Sequence, residues 1–228
     1  MLDHAGSADL STPPPGWEGF TSFGPDMAIP ARVADYRVGL SGLAHCLVPA
    51  FADFCAIHLI EDGGEVRRVA LAGTSMGGMI VQRLAIDHPD RLLTMTSVMS
   101  RTGEPGFGDS APEALAVLTA PPARSRDEYI DSHVAAIGVY GSTPEWIDDT
   151  ETRRRAAAAY DRCFCPAGIG RQMAAVMRDG SRDEALRSVL VPALVMHGSR
   201  DTLIDPSGGR HTADVIPNAR YVEIEGMG

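Results

Sequence analysis

Gly73-Thr74-Ser75-Met76-Gly77 is a G-x-S-x-G pentapeptide, and its serine is the residue of this chain best placed by type and spacing for nucleophilic chemistry. A serine hydroxyl is a weak nucleophile at neutral pH, so it must stand clear of the backbone, within reach of both an imidazole and an ester carbonyl. The residues around Ser75 suit that task. The apolar run Val69-Ala70-Leu71-Ala72 reads as a short strand, and an amphipathic helix follows from Met76, which makes the pentapeptide a nucleophile elbow. Gly73 and Gly77 remove the Cβ atoms that would press strand against helix, and Gly78 adds clearance. The helix N-terminus, with the backbone N–H of Met76, then points to where an oxyanion would form. A chance pentapeptide in a chain with 24 glycines is the plainer alternative, and the strand and helix around it argue against that.

An activated serine needs a base, and the base needs a carboxylate to orient it. Asp201 follows the apolar run Val191-Pro192-Ala193-Leu194-Val195-Met196 and the turn His197-Gly198-Ser199-Arg200. The end of a strand is where open α/β sheets collect functional groups. Glu104, just after another apolar run, is a rival acid, with a solvated loop carboxylate as its plainer reading. Asp205, followed by Pro206, reads as a helix-capping or loop residue. Of the 7 histidines, His88, His133 and His211 read as surface or packing residues, while His4, His45 and His58 have no assignable position.

The elements that must hold these residues can be traced along the chain. Met1 to Pro30 is rich in Pro, Gly and Ser and reads as loop. Ala31 to about Ile60 has an apolar pattern compatible with helix, after which Glu61-Asp62-Gly63-Gly64 turns the chain into the strand before Ser75. His88-Pro89-Asp90 stops the elbow helix. Leu92 to Ser100 reads as the next strand, so strand, helix and strand form a parallel crossover unit. From Arg101 to about Ser188 helical blocks replace strands, at Pro112–Thr119, Arg126–Tyr140, Asp148–Tyr160 and Gly168–Asp179, and read as a helical cap. Most of their apolar residues are accounted for by ordinary helix packing. Strand pattern returns at Val191–Met196 and Arg220–Ile224, with an amphipathic helix between them ending at Ile216-Pro217. The expected class is α/β, a mostly parallel sheet flanked by helices, with residues 1–100 and 189–228 as core and 101–188 as cap.

The 228 residues suit one domain with an insertion, and a net charge of −10 argues against nucleic-acid partners. All 20 basic residues are Arg and Asn218 is the only Asn, which fits a GC-rich coding bias and carries no functional weight. Cys46, Cys55, Cys163 and Cys165 lack a metal-site spacing and read as reduced thiols. No charged-then-apolar leader opens the chain, so a cytoplasmic location is expected. The apolar stretch Gly39–Ile60 is broken by His45, Pro49, Asp53 and His58, which argues against a membrane span. Neither a metal nor an organic cofactor is expected. The expected partner is a small-molecule ester, with oligomeric state left open.

Taken together, Gly73-Thr74-Ser75-Met76-Gly77-Gly78, Asp87-His88-Pro89-Asp90-Arg91, His197-Gly198-Ser199-Arg200-Asp201 and the tail from Ile216 to Gly228 resemble the α/β-hydrolase superfamily, in particular actinobacterial esterases related to aclacinomycin methylesterase. The resemblance covers about Val66 to Gly228. It implies Ser75 as nucleophile, Asp201 as triad acid, Met76 N–H as one oxyanion donor and His197 as a structural residue. It also implies a catalytic histidine directly after Gly-Met-Gly, where this sequence ends, and early strands with a His-Gly loop that the first residues do not match. Tyr36–Gly64 fits the family poorly. Three readings follow: a serine-dependent carboxylic-ester hydrolase, a non-catalytic fragment without the triad base, and a perhydrolase or carbon–carbon bond hydrolase of the same superfamily.

Overall fold

A computed structural model describes residues 54–60 and 66–228, with side chains from residue 70 onward. Five strands form one sheet in sequence order: β1 (Phe54–Ile60), β2 (Val66–Thr74), β3 (Leu92–Val98), β4 (Ala193–Gly198) and β5 (Arg220–Ile224). β1 pairs antiparallel with β2, and every later pair is parallel. Parallel neighbours need crossover connections. Here α1 (Met76–Asp87) links β2 to β3, and α7 (Ser207–Val215) links β4 to β5. Between β3 and β4 the chain forms α2 (Pro112–Leu118), α3 (Arg126–Tyr140), α4 (Asp149–Arg162), α5 (Pro166–Asp179) and the short α6 (Asp183–Leu186).

The helix expected up to Ile60 is corrected at its end, because Phe54–Ile60 is a strand. A short apolar run satisfies either period, and hairpin pairing with β2, from Phe54 opposite Gly73 to Ile60 opposite Val66, decides for strand. Residues 31–53, the loop expected for 1–30, and the question of early strands lie outside the described residues.

One face of the sheet carries the core. Leu71, Leu92, Met95 and Ala193 from the strands meet Val81 and Ala85 of α1, Leu186 of α6, and Val215 and Ile216 at the end of α7. The helical segment holds itself together differently. Ser125 caps α3 by accepting from the Glu128 amide at 3.2 Å, and Asp148 caps α4 by accepting from Glu151 N at 3.1 Å. Arg126 at the start of α3 forms a two-point ion pair with Asp161 near the end of α4, so the two helices run antiparallel. Tyr129, Tyr160 and Phe164 pack between them. The ion pairs are exposed and screened by solvent, so each adds little. The aromatic contacts matter more.

A buried polar seam ties this segment to the sheet. Arg182, 2 % exposed, donates from Nε to Gln82 Oε1 at 3.0 Å on α1 and from Nη2 to the Arg101 carbonyl at 2.8 Å after β3. Its third arm pairs with Asp179, the last residue of α5. Gln82 passes the connection on through Nε2 to Ser97 Oγ on β3 at 3.1 Å. Burial pulls the Arg182 guanidinium below its ordinary value, partly offset by Asp179. Burial likewise pushes Asp179 up, but hydrogen bonds from Arg83 and Arg182 outweigh it and hold the carboxyl below its usual range.

Removing the guanidinium leaves Gln82 Oε1 and the Arg101 carbonyl without their donor in the interior, so Arg182→Met is expected to cost about 3 kcal/mol in denaturant unfolding. Asp179 has a depressed folded-state value, so its contribution is present above its unfolded value, about pH 4, and is lost as pH falls through the folded value. The stability gap between parent and Arg182→Met should therefore narrow below about pH 4. A gap of under about 1 kcal/mol at neutral pH would show that the seam does not anchor the helices.

Candidate functional site

Ser75 occupies the turn between β2 and α1 with φ 54° and ψ −119°, a left-handed conformation uncommon for a residue with a side chain. Two contacts hold it there. Its amide donates to the Val98 carbonyl of β3 at 2.9 Å, and the backbone of Gly77 fills the space that a Cβ on residue 73 would need. Gly78 fits against Ser97 and Ser100 in the same way, seating α1 on β3. Although Ser75 stands at the N-cap position of α1, its side chain makes no capping bond. Ser125 spends its hydroxyl on a helix amide, whereas the half-buried Ser75 does not. Met76, the first residue of α1, offers an N–H with no acceptor one turn earlier in the helix.

Asp201 lies just past β4 and is buried. Its Oδ1 accepts from the amides of Leu203 and Ile204, each at 2.9 Å, while Oδ2 lies 3.2 Å from His197 Nε2. β2 and β4 both run parallel to β3, so Ser75 and Asp201 emerge at the same edge of the sheet, with β3 between them. The tail after β5 braces the Asp201 loop. Arg200 N donates to the Met227 carbonyl at 2.8 Å and Gly226 N donates to Ser199 Oγ at 2.9 Å. A Cβ on Gly198 would overlap the Met227 carbonyl, so that glycine is required for the tail to lie flat.

The other candidates have partners of their own. Glu104 accepts from Ser181 Oγ at 2.6 Å. Asp205 accepts from Ser207 N at 2.9 Å just before α7, whose N-cap position is Pro206. Burial raises its carboxyl, and hydrogen bonds from Ser207 outweigh that and hold it low. His88 is exposed at the end of α1, and His133, on α3, is half-buried, with burial lowering its value. His211 on α7 pairs with Asp183 Oδ2 at 2.6 Å and stacks on Phe107 with ring centroids 3.7 Å apart. His4, His45 and the side chain of His58 lie outside the described residues. Sequence reasoning passed over Gln82, Ser97 and Ser100, which are buried beneath the elbow. A polar Gln82 one turn after Gly78 on the face of α1 that meets the sheet was the available signal.

Where the tail meets the helical segment there is a cavity of about 420 Å³. Ile137, Trp146, Ile147, Asp148, Glu151 and Gly228 are among its lining residues. Gly228 N donates to Ser142 Oγ at 3.1 Å, and Thr143 N donates to the Gly226 carbonyl at 2.8 Å, which fixes the tail to this wall. Hydrogen bonds from Arg154 and Arg155 hold the Glu151 carboxyl down to about 2. Among the described residues no group of three or more His, Cys, Asp or Glu is arranged to hold a metal, and no helix is long and apolar enough to cross a membrane.

A mostly parallel sheet with a serine at a left-handed strand-to-helix turn and a buried carboxylate past a later strand defines an α/β-hydrolase fold. The chain belongs to the family described as serine aminopeptidase, S33, whose model matches residues 38–227. It is 30 % identical over 190 residues to rhodomycin D methylesterase of Streptomyces peucetius, covering 74 % of this chain and 63 % of that protein. The chain thus spans under two thirds of that relative's length. It is 26 % identical over 210 residues to pimeloyl-[acyl-carrier protein] methyl ester esterase of Aeromonas hydrophila, covering 86 % of this chain and 79 % of that one. A solved structure of an N-acyl homoserine lactone degrading enzyme superposes with a TM-score of 0.53 at 25 % identity, over 71 % of this chain and 61 % of that one.

The backbone conformation of Ser75 carries a measurable cost. Ser75→Gly and Ser75→Ala both lose the hydroxyl, but only glycine adopts φ 54° without strain. The glycine variant should be more stable than the alanine variant by about 1 kcal/mol in urea unfolding. Equal stability would mean that the turn is unstrained.

Proposed function

We propose that the protein is a serine-dependent carboxylic-ester hydrolase in which Ser75 forms an acyl-enzyme. The observation that supports this most directly is the left-handed Ser75, its hydroxyl unused by the helix it caps, at the sheet edge where Asp201 also emerges. In this reading Ser75 Oγ attacks the ester carbonyl while an imidazole takes its proton, and the oxygen that becomes negative is met by Met76 N–H. The imidazolium then protonates the departing alcohol, and water, deprotonated by the same imidazole, releases the acid. Asp201 orients that imidazole. The base itself is the histidine that the family resemblance places directly after Gly228. The bond between Arg200 N and the Met227 carbonyl sets the chain at that point beside the Asp201 loop, where such a ring must begin.

Residues 101–188 serve as the cap over this site, and the cavity beside Trp146 takes part of the substrate. The two curated relatives named above both act on methyl esters of larger acids. We assign the same substrate class here, with methanol leaving through Ser75 chemistry and the larger acyl portion held against the cap. The competing reading is a non-catalytic remnant of the same fold.

Reading the gene past the Gly228 codon, together with fluorophosphonate labelling, separates the two readings. A histidine codon next, labelling of the encoded protein, and its loss in Ser75→Ala would establish the nucleophile. Asp201→Asn should then lower the rate of methyl-ester hydrolysis by about 10⁴-fold. A stop codon after Gly228 with no labelling would leave the remnant, and labelling that persists in Ser75→Ala would rule out Ser75.

A further inference from the structure

His197 is the one described histidine with no exposed surface, and its ring nitrogens are in very different situations. Nε2 lies 2.7 Å from the Ile204 carbonyl and 3.2 Å from Asp201 Oδ2. A carbonyl can only accept, so Nε2 carries the hydrogen and shares it between the two oxygens. Nδ1 has no hydrogen-bond partner among the described residues and faces Gly209 of α7, where a Cβ would strike the ring.

From this geometry we infer that His197 is a positioning residue for Asp201, with Gly209 as the residue that admits its ring. The inference rests on the assignment of Asp201 as the triad acid. Two backbone amides grip Oδ1 and leave the carboxylate free to rock about that contact. The shared Nε2–H removes this freedom, because it holds Oδ2 and, through the Ile204 carbonyl, one of the residues whose amides hold Oδ1. His197 therefore closes a ring of four contacts around residues 201–204 and fixes the carboxylate plane presented to the catalytic imidazole.

The test is the fluorophosphonate labelling rate of Ser75 in the full-length protein, with thermal melts alongside. His197→Leu should slow labelling by about 10²-fold, the usual scale for a displaced catalytic group. His197→Gln, whose amide can offer a donor near the same place, should recover most of that rate. The loss should also be non-additive: in an Asp201→Asn background, His197→Leu should change the rate less than about twofold. Gly209→Ala should slow labelling without touching the Asp201 loop, although alanine favours a helix interior, and it carries the test if the leucine variant does not fold. Additive losses, a glutamine variant as slow as leucine, or parent-like labelling in a folded Gly209→Ala would assign His197 to packing alone. If Asp201→Asn labels like the parent, or the parent does not label, the triad assignment falls and this inference falls with it.

Discussion

The carbonyl of Gly77 stands where any side chain on residue 73 would have to be, and much of the molecule's arrangement follows from that one approach. It lets α1 leave β2 in a turn too tight for two ordinary residues. That turn throws Ser75 into the left-handed region and directs its amide to β3. The same helix path brings Gly78 down on Ser97 and Ser100 and carries Gln82 inward to Ser97, so the elbow and the polar seam have a common origin. Apolar burial of Val81 and Ala85 supplies the bulk of the attraction. The glycines determine where that attraction brings the helix to rest.

Arg182 does for the helical segment what the glycines do for α1. The exposed ion pairs Arg126–Asp161 and Arg153–Asp131 join α3 to α4, and those of Arg154 and Arg155 with Glu151 lie within α4, so none of them ties the helices to the sheet. Arg182 is buried, and its three arms reach α1, the segment after β3 and the end of α5. A buried guanidinium is costly unless every arm is met, so the segment can close on the core in few ways. The point at which the chain re-enters the sheet is thereby set.

What was legible in the sequence was local. The bounds of α3 and the strand at 220–224 follow from periodicity, and the elbow from its glycines. Helix starts shifted by a residue or two for identifiable reasons: Asp148 lies outside α4 as its cap, and Pro166 opens α5 because a first-turn residue needs no N–H. The strand Phe54–Ile60 was misread because short apolar runs do not choose a period without a partner. The four-residue α6 is too short to leave a pattern. Arg182 and Gln82 are 100 residues apart, and nothing at either position announces the other. The pairing of His197 with Asp201, four residues apart, could have been drawn from the spacing, yet which nitrogen faces the carboxylate depends on Ile204 and Gly209.

The Asp201 loop is joined through the end of α3 to the helix that lines the proposed substrate cavity, and this bears on how chemistry and specificity can vary. Thr202, beside Asp201, donates from Oγ1 to the Val139 carbonyl at the end of α3, and the Ala111 amide donates back to the Thr202 carbonyl. The tail that braces Arg200 is itself fastened to Ser142 and Thr143, between α3 and the turn bearing Trp146. A change that reshapes the cavity by moving the end of α3 must therefore pull on both sides of the Asp201 loop. Side-chain changes that leave this backbone in place, at Ile137, Trp146 or Ile147, escape that penalty. The fold thus separates positions where substrate preference can drift from positions where drift would disturb the acid. His197 meets the same loop through the Ile204 carbonyl, with its ring set against Gly209 of α7.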